Sequence, residues 1–519
     1  MLKEATCNLF AAIHLGSEQV GIQIVQYRNI DDIKVVDQAA RQVSLGEETF
    51  KSGRISFLAI NELCELLQGY KRLLAEYGVR DYRLVATTAV REAVNRYYIL
   101  DQIKVKTGLR VEIVDMPQEI FYKYAAVFKN IQDHGLTNTP DGLLFVDISS
   151  GGLGITLYKN GALKYQQNIH IGILRIKESF DKWQRESMYF QQALSEYIYS
   201  AIKPVQQALE QYAIKYLVLS GPETKLLLKI LGYGLKDGLA LVELTDFYKL
   251  YDKVKKLNLP QIIKTFELSE AKAEMVLPTI VLYKQILGLT DIDKIVIPDD
   301  QFIDGICLLH IMEKTRDKWS EVIDRQIISL ACSLGAKYKY DCRHADAVAG
   351  AALLLFDHMA KIHGLGRRER LMLHTAGILH DIGKFVSLRQ HYSYSYQLID
   401  SSDIMGFSEM EKNIIANVAR YHSKITPVSD NLSLAGLTDQ QQVTVGKLAA
   451  IIRLADAIDR AHRQKSTSLA IELKGNQITI KVNTQADISL EEWTFLDKVK
   501  FFESVFGIRA ILTRSAEVS

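Results

Sequence analysis

LLFVDISSGGLGITLYKNG, residues 143–161, reads as a strand, a glycine-containing loop and a second strand. It repeats the theme on which the chain opens: NLFAAIHLG, a short SEQ turn, then VGIQIVQY, over residues 8–27. Alternating and β-branched residues favour strands in both places, and Gly16 and Ser17 mark a tight turn. The repeat is weak in identity but clear in pattern, so the first part of the chain is expected to form two related α/β lobes.

Residues 31–45 continue as strand, and 56–77 have helical periodicity ending at Gly78. RLVATTAV and RVEIVDM follow as strands, and QEIFYKYAAVFKN as a helix. The polar, turn-rich run NIQDHGLTNTPDG, 130–142, is expected to be a hinge between the lobes. In the second lobe, 183–212 and 268–289 are helical, YLVLSGPE is a strand ending at Ser220-Gly221, and KIVIPDD is another strand. From about residue 313 the strands stop and helical patterns fill 320–464. LAIELKGNQITIKVN is then a hairpin turning at Gly475-Asn476, followed by a helix and a final strand, IRAILTR. The expected domains are 1–129 and 130–312 (the two lobes), 313–464 (all-helical) and 465–519 (small α/β).

Lysine and arginine number 63 against 61 aspartate and glutamate, a net charge of +2, so no global field points to nucleic acid or membrane. No apolar run approaches the ~20 residues of a membrane span, and no signal peptide is visible. The five cysteines are scattered without a CxxC, which suits reduced thiols in a cytoplasm.

The helical half carries a candidate metal set. In HTAGILHDIGKF, 374–385, His380 and Asp381 are adjacent and end an apolar run. His344 opens HADAVAGAALLLF, and Asp456 sits inside IIRLADAID. Imidazole and carboxylate ligands from three apolar helices suit a divalent ion, Mg or Mn first, with positions left for water and phosphate. The alternative is a hydrogen-bonded polar cluster with no ion. The H…HD…D pattern resembles the HD superfamily of metal-dependent phosphohydrolases. Lys384 is placed to set a positive charge on a phosphate oxygen, and His391 and His422 are candidates for further ligands or phosphate contacts.

The motifs ATTAVREAVN (86–95), VDISSGG (146–152), Leu277-Pro278 and IDG (303–305) fall in the order of the exopolyphosphatase/guanosine pentaphosphate phosphohydrolase family, which the chain resembles over roughly residues 8–510. CRHADAVA, LHDIGKF, SYQLIDSSDIMGFS, VARYHSK and IIRLADAIDR are similar to the HD-type domain of its longer members. The resemblance implies an actin-like, ribonuclease H-like fold for the lobes, hydrolysis of a phosphoanhydride or phosphoester, polyphosphate or a phosphorylated guanine nucleotide as ligand, and a homodimer. It also implies a phosphate cradle from Gly16, Ser17, Arg91, Asp147, Gly151, Gly152, Ser220 and Gly221.

The departures from the family pattern fall in that cradle. The first loop, usually similar to DLGSNS, here runs His14-Leu15-Gly16-Ser17-Glu18-Gln19, so a histidine replaces a carboxylate and an anion replaces a phosphate donor. Ser149 and Ser150 replace glycines of the second loop, and Ile303 stands where an arginine is usual. The stretch Met116-Pro117-Gln118-Glu119-Ile120 aligns with the family's base motif and puts Gln118 on the base position, with Glu119 beside it. Glutamine cannot take a proton near neutral pH. Chemistry is therefore expected at the HD-type site, with Asp381 and Lys384 acting there. The alternative is a family member that binds polyphosphate or a guanine alarmone without turnover, as a sensor.

Overall fold

The computed structural model describes residues 7–427, 434 and 436–515. Two compact units divide the chain, Met1–Ile323 and Asp324–Ser519.

Unit 1 contains two mixed sheets built to one plan. In the first, Asn8–Leu15 (β1), Gln19–Tyr27 (β2) and Ile33–Gln42 (β3) form an antiparallel meander, and Tyr82–Ala86 (β4) and Val111–Ile113 (β5) extend it in parallel on the other side of β1, giving the order β3-β2-β1-β4-β5. The second repeats this with Gly142–Ile148 (β6), Leu153–Lys159 (β7), Ala162–Ile169 (β8) and Ile214–Ser220 (β9). Leu239–Glu243 (β10) and Lys294–Pro298 (β11) complete it in the order β10-β11-β9-β6-β7-β8. The central strands β6 and β7 are nearly continuous apolar runs, because helices cover both faces of such a sheet. These are the two actin-like lobes that the repeat predicts, and the parallel pairing of β1 with β4 needs a crossover, within which the helix Phe57–Glu76 lies.

The run expected to be a hinge is helical at its start. The helix Met116–Asp133 continues through Asn130, and the His134 ring meets the Asn130 carbonyl at 2.9 Å, capping its end. The boundary expected after 129 therefore falls inside a helix, as does the one after 312, within Phe302–Thr315. That second helix packs back against the first: a Cβ on Gly305 would lie 1.9 Å from the Tyr122 carbonyl oxygen, so only glycine permits the contact.

Unit 2 is a helical body of Cys342–His358, Arg367–Leu379, His391–Asp400, Glu409–Arg420 and Asp439–Ile458, with a small sheet. The sheet joins Ser468–Lys474 (β12), Gln477–Asn483 (β13) and Arg509–Ser515 (β14) in sequence order, the hairpin antiparallel and β13–β14 parallel. The closing α/β segment was expected as a separate domain from residue 465. Instead its helix Ser489–Phe506 packs on Asp439–Ile458 within the same unit, because Phe495 and Phe502 point inward and are buried. Among the described residues no helix is long and apolar enough to cross a membrane.

Candidate functional site

Small residues bring the helices that carry the histidine–aspartate cluster of unit 2 together. Gly377 meets Ala349 so closely that a Cβ there would sit 2.9 Å from the Ala349 Cα. The contact sets His344, third residue of its helix, beside His380, which ends the helix Arg367–Leu379. The turn Ile382–Phe385 then approaches the start of the helix His391–Asp400: a Cβ on Gly383 would lie 2.0 Å from the His391 carbonyl oxygen.

The four residues expected from the sequence converge. His344 Nε2 is 3.3 Å from His380 Nε2, 3.3 Å from Asp456 Oδ1 and 3.7 Å from Asp381 Oδ2. His380 Nε2 is 3.5 Å from Asp381 Oδ2 and 3.8 Å from Asp456 Oδ1. All four are buried. Each imidazole is fixed from behind: His344 Nδ1 donates to Asp459 Oδ2 at 2.9 Å, and His380 Nδ1 to the Gly377 carbonyl at 2.7 Å. That leaves Nε2 of both as the inward-facing atom, the arrangement metal-binding histidines adopt.

His391 and His422 also reach the cluster, on the far oxygen of Asp381. Their Nε2 atoms stand 3.3 and 3.5 Å from Asp381 Oδ1. Sequence reasoning missed four further groups. Lys498 pairs with Asp456 Oδ2. Asp459 holds His344. His462 lies flat on His344, ring centroids 3.5 Å apart, and Asp341 Oδ2 accepts from its Nδ1 at 3.1 Å. His462 sits in a left-handed backbone, φ 53°, a conformation that a packed site can hold but a sequence does not announce. The one available signal was Lys498, a lysine on the apolar stripe of WTFLDKVKFF.

Charges balance tightly here. Burial would raise Asp381, but the neighbouring His380, His422 and Lys384 hold its carboxyl below the usual range. Lys384 Nζ is 2.5 Å from Asp381 Oδ2 and a third exposed, at the mouth of the site. Burial would lower His344, but hydrogen bonds to Asp456 and Asp459 lift it to about 9. Burial pushes His422 down to about 3.

In unit 1 a small pocket gathers Arg91, Glu119, Asp147, Gly151 and Gly152 among its walls. Gly16, Ser17, Gln118, Ser220 and Gly221 do not line it, although Ser220 Oγ donates to Asp147 at 2.9 Å. Every carboxylate in the pocket already has a cation. Arg91 Nη1 lies 3.0 Å from Glu119 Oε2, Arg175 pairs with Glu92 at 2.6 Å, and the buried Lys123 ammonium is 2.8 Å from Asp147 Oδ1. Lys123 was missed by sequence reasoning; its signal is a lone cation in FYKYAAVF. The second loop closes on itself, with Ser149 N–H donating to Gly152 O at 2.9 Å and Gly152 N–H to Ser149 Oγ at 3.1 Å, so these two amides are taken up. Burial and the Lys123 charge lower His14 to about 3, so it stands neutral, 3.1 Å from Thr87 Oγ1.

Gln118 is corrected by this geometry. It is the third residue of a capping box: its Oε1 accepts from Asp115 N–H at 3.2 Å and its own N–H donates to Asp115 Oδ1 at 2.9 Å. Glu119, one residue on, turns to Arg91 and Thr88 in the pocket. Gln118→Glu is thus expected to leave phosphate release unchanged and stability within ~0.5 kcal/mol, since glutamate caps as well as glutamine. A large gain in rate on that substitution would place the side chain at the reacting centre and refute the assignment.

Glu223 is buried, its Oε2 accepts no hydrogen bond from a described residue, and burial followed by the charge of Glu18 lifts it to about 8. Unfolded, it ionises near 4.5. Between those values the unfolded chain binds fewer protons than the folded one, so this group's contribution to stability falls as pH rises. Glu223→Gln is expected to stabilise unit 1 relative to wild type by an amount that grows from about pH 5 to pH 8. Denaturant melts across that range measure it; a gap independent of pH would count against the buried, protonated carboxyl.

Comparison with known proteins bears on both units. Residues 23–308 match the model of the Ppx/GppA phosphatase family, and residues 328–498 that of Ppx/GppA phosphatase, domain III. A guanosine-5'-triphosphate,3'-diphosphate pyrophosphatase of Vibrio parahaemolyticus is 22% identical over 502 residues, covering 93% of this chain and 94% of its own. One from Photobacterium profundum is 21% identical, covering 86% of each. Among solved structures, an exopolyphosphatase from Cytophaga hutchinsonii aligns with TM-score 0.51 at 19% identity, over 59% of this chain and 98% of its own. The Aquifex aeolicus Ppx/GppA family member aligns with TM-score 0.50 at 22% identity, over 60% and 99%. These two likenesses establish the fold of the lobes.

Proposed function

Because the chain belongs to the Ppx/GppA phosphatase family, we propose that it hydrolyses a phosphoanhydride or phosphoester bond at an HD-type metal site in unit 2, not in the cleft of unit 1. The observation that carries this reading is that the Nε2 atoms of His344 and His380 both face Asp381 and Asp456, within 3.3–3.8 Å, with Asp381 Oδ1 buried and accepting no hydrogen bond from a described residue. Two buried carboxylates facing imidazole nitrogens fit a divalent cation, since without one their desolvation is only partly offset by Lys384 and Lys498. A divalent ion, when bound, lowers the pKa of water and polarises a phosphoryl oxygen. The chain's own groups then have separate tasks. Asp459 and the Gly377 carbonyl hold His344 and His380 in the ligating tautomer. Lys384 presents an ammonium at the mouth, where it can meet a phosphate oxygen. The substrates proposed are polyphosphate or a phosphorylated guanine nucleotide, the classes in the names of similar proteins.

A second reading, a non-catalytic sensor of the same ligands, draws support from unit 1. There Glu119, Glu92 and Asp147 are matched with Arg91, Arg175 and Lys123, so each carboxylate among the described lining residues is held by a cation. Phosphate release from both substrates by the full chain, with Mn or Mg added, separates the readings. Loss in Asp456→Ala with retention in Arg91→Ala supports chemistry in unit 2. Retention in Asp456→Ala with loss in Arg91→Ala would move it to the cleft. No release by the wild-type chain would favour the sensor.

A further inference from the structure

We propose that unit 1 docks on an anionic lipid bilayer through the tip where residues 51–58 and 94–98 meet. KSGRISFL and VNRYY lead into the helices Phe57–Glu76 and Arg96–Thr107, and together they hold three cations and no acid. Asn95 ties the two stretches side by side. Its Oδ1 accepts from Ile55 N–H at 3.2 Å, its Nδ2 donates to the Ile55 carbonyl at 2.9 Å, and Val94 N–H donates to the Gly53 carbonyl at 2.9 Å. Farther along, Lys71 Nζ donates to the Thr107 carbonyl at 2.7 Å, so the helices run parallel and both begin at the tip. The turn before the first of them is fixed too: Ser56 N–H and Oγ donate to the Glu48 carboxylate at 2.6 and 2.9 Å. The surface is therefore built before a partner arrives, which lowers the cost of binding.

Five apolar side chains stand out from this tip. Phe57, Leu58, Val94, Tyr97 and Tyr98 are each 68–74% exposed. Single exposed apolar residues are ordinary, but a contiguous group is not. Three aromatic rings this exposed leave roughly 300–500 Å² in water, before Leu58 and Val94 are added. The rim decides what covers them. Lys51, Arg54 and Arg96 pair with no carboxylate among the described residues. Arg96 donates instead to the Arg91 carbonyl and the Tyr97 hydroxyl, with its guanidinium 5.0 Å over the Tyr97 ring. Two helix starts add their positive partial charge. A stacked nucleic acid would use the rings and the cations but leave Leu58 and Val94 in water. A bilayer surface matches all of it: phosphate headgroups at the level of the cations, acyl chains below for Phe57, Leu58 and Val94, and between them the interfacial zone that tyrosine prefers.

Co-sedimentation of the full chain with vesicles tests this, using equal parts phosphatidylglycerol and phosphatidylcholine against phosphatidylcholine alone. The wild type is expected to bind the anionic vesicles at least about tenfold more tightly than the neutral ones, and added salt should weaken that binding. A cation near an anionic surface is worth about fivefold in binding, so Arg54→Gln with Arg96→Gln should lower it by about 30-fold. Phe57→Ser with Leu58→Ser should lower it about tenfold or more, through lost apolar burial. All four side chains reach solvent, so both variants should fold, which a thermal melt checks; Tyr97→Ser with Tyr98→Ser is the substitute should the first apolar pair melt early. Binding lost with the charge pair but kept in both apolar pairs would mean adhesion by charge alone and overturn insertion. Vesicle binding unchanged in every variant would move the contact elsewhere and overturn the tip. No vesicle binding by the wild type would overturn the proposal outright; a single-stranded oligonucleotide or a second copy of the chain bound in its place, and lost in Phe57→Ser with Leu58→Ser, would give the tip to that partner.

Discussion

Asp381→Ala is expected to abolish phosphate release and metal retention together. Asp381 is the residue on which the unit 2 cluster is centred: one oxygen faces His344 and His380, the other His391 and His422. Changing a residue that merely orients a ligand costs about 10–100-fold in affinity or activity, so loss of a ligand at the centre should exceed ~10²-fold. The accompanying stability measurement guards against a trivial explanation. In chelator, wild type and variant should melt alike, because the substitution removes a buried carboxylate and releases Lys384, which is already a third exposed, to water. A variant that keeps its metal, or one that loses activity only because it has unfolded in chelator, would contradict the proposed role.

Chelation of the wild-type chain should have the second large effect, on unit 2 alone. An ion held at about a thousand times its dissociation constant stabilises the folded state by ~4 kcal/mol. For a body of unit 2's size each kcal/mol moves the melting temperature by about 2–4 °C, so removal should lower it by roughly 8–16 °C. No described residue of unit 1 belongs to the cluster, so its transition should stay in place. Calorimetry with and without chelator reads both at once; two unmoved transitions would argue for a polar cluster held by Lys384, Lys498 and a protonated His344.

The two-lobed fold is legible because a strand–glycine loop–strand pattern occurs twice, and alternation survives where identity has faded. His380 and Asp381 are legible for a different reason: the pair means little alone, but His344 and Asp456 stand on two other apolar helices. What escaped was decided by long-range packing. Glu119 rather than Gln118 faces the pocket because Asp115 caps the helix and engages Gln118, and that shift of one residue turns the side chain by about 100°. Lys123 and Lys498 each stand in an apolar stretch, but what each pairs with cannot be read until a carboxylate from another element is placed opposite it. His462 depends on a left-handed turn tied by Asp459, which accepts from Gln464 N–H at 2.8 Å. Asn130–Asp133 read as a hinge by composition, yet the preceding helix extends through them.

Lys498 belongs to Ser489–Phe506, the last helix described, and its partner Asp456 to the helix Asp439–Ile458. During synthesis the ribosome delivers that last helix after every histidine and aspartate of the cluster. Until then Asp456 lacks its lysine, and only the imidazoles of His344 and His380 face its carboxylate. A nascent chain stalled before residue 489 is thus expected to stay open in unit 2, a client for chaperones rather than a hydrolase. Unit 1, which ends at Ile323, is delivered whole long before residue 489 and can fold while the rest is still being made.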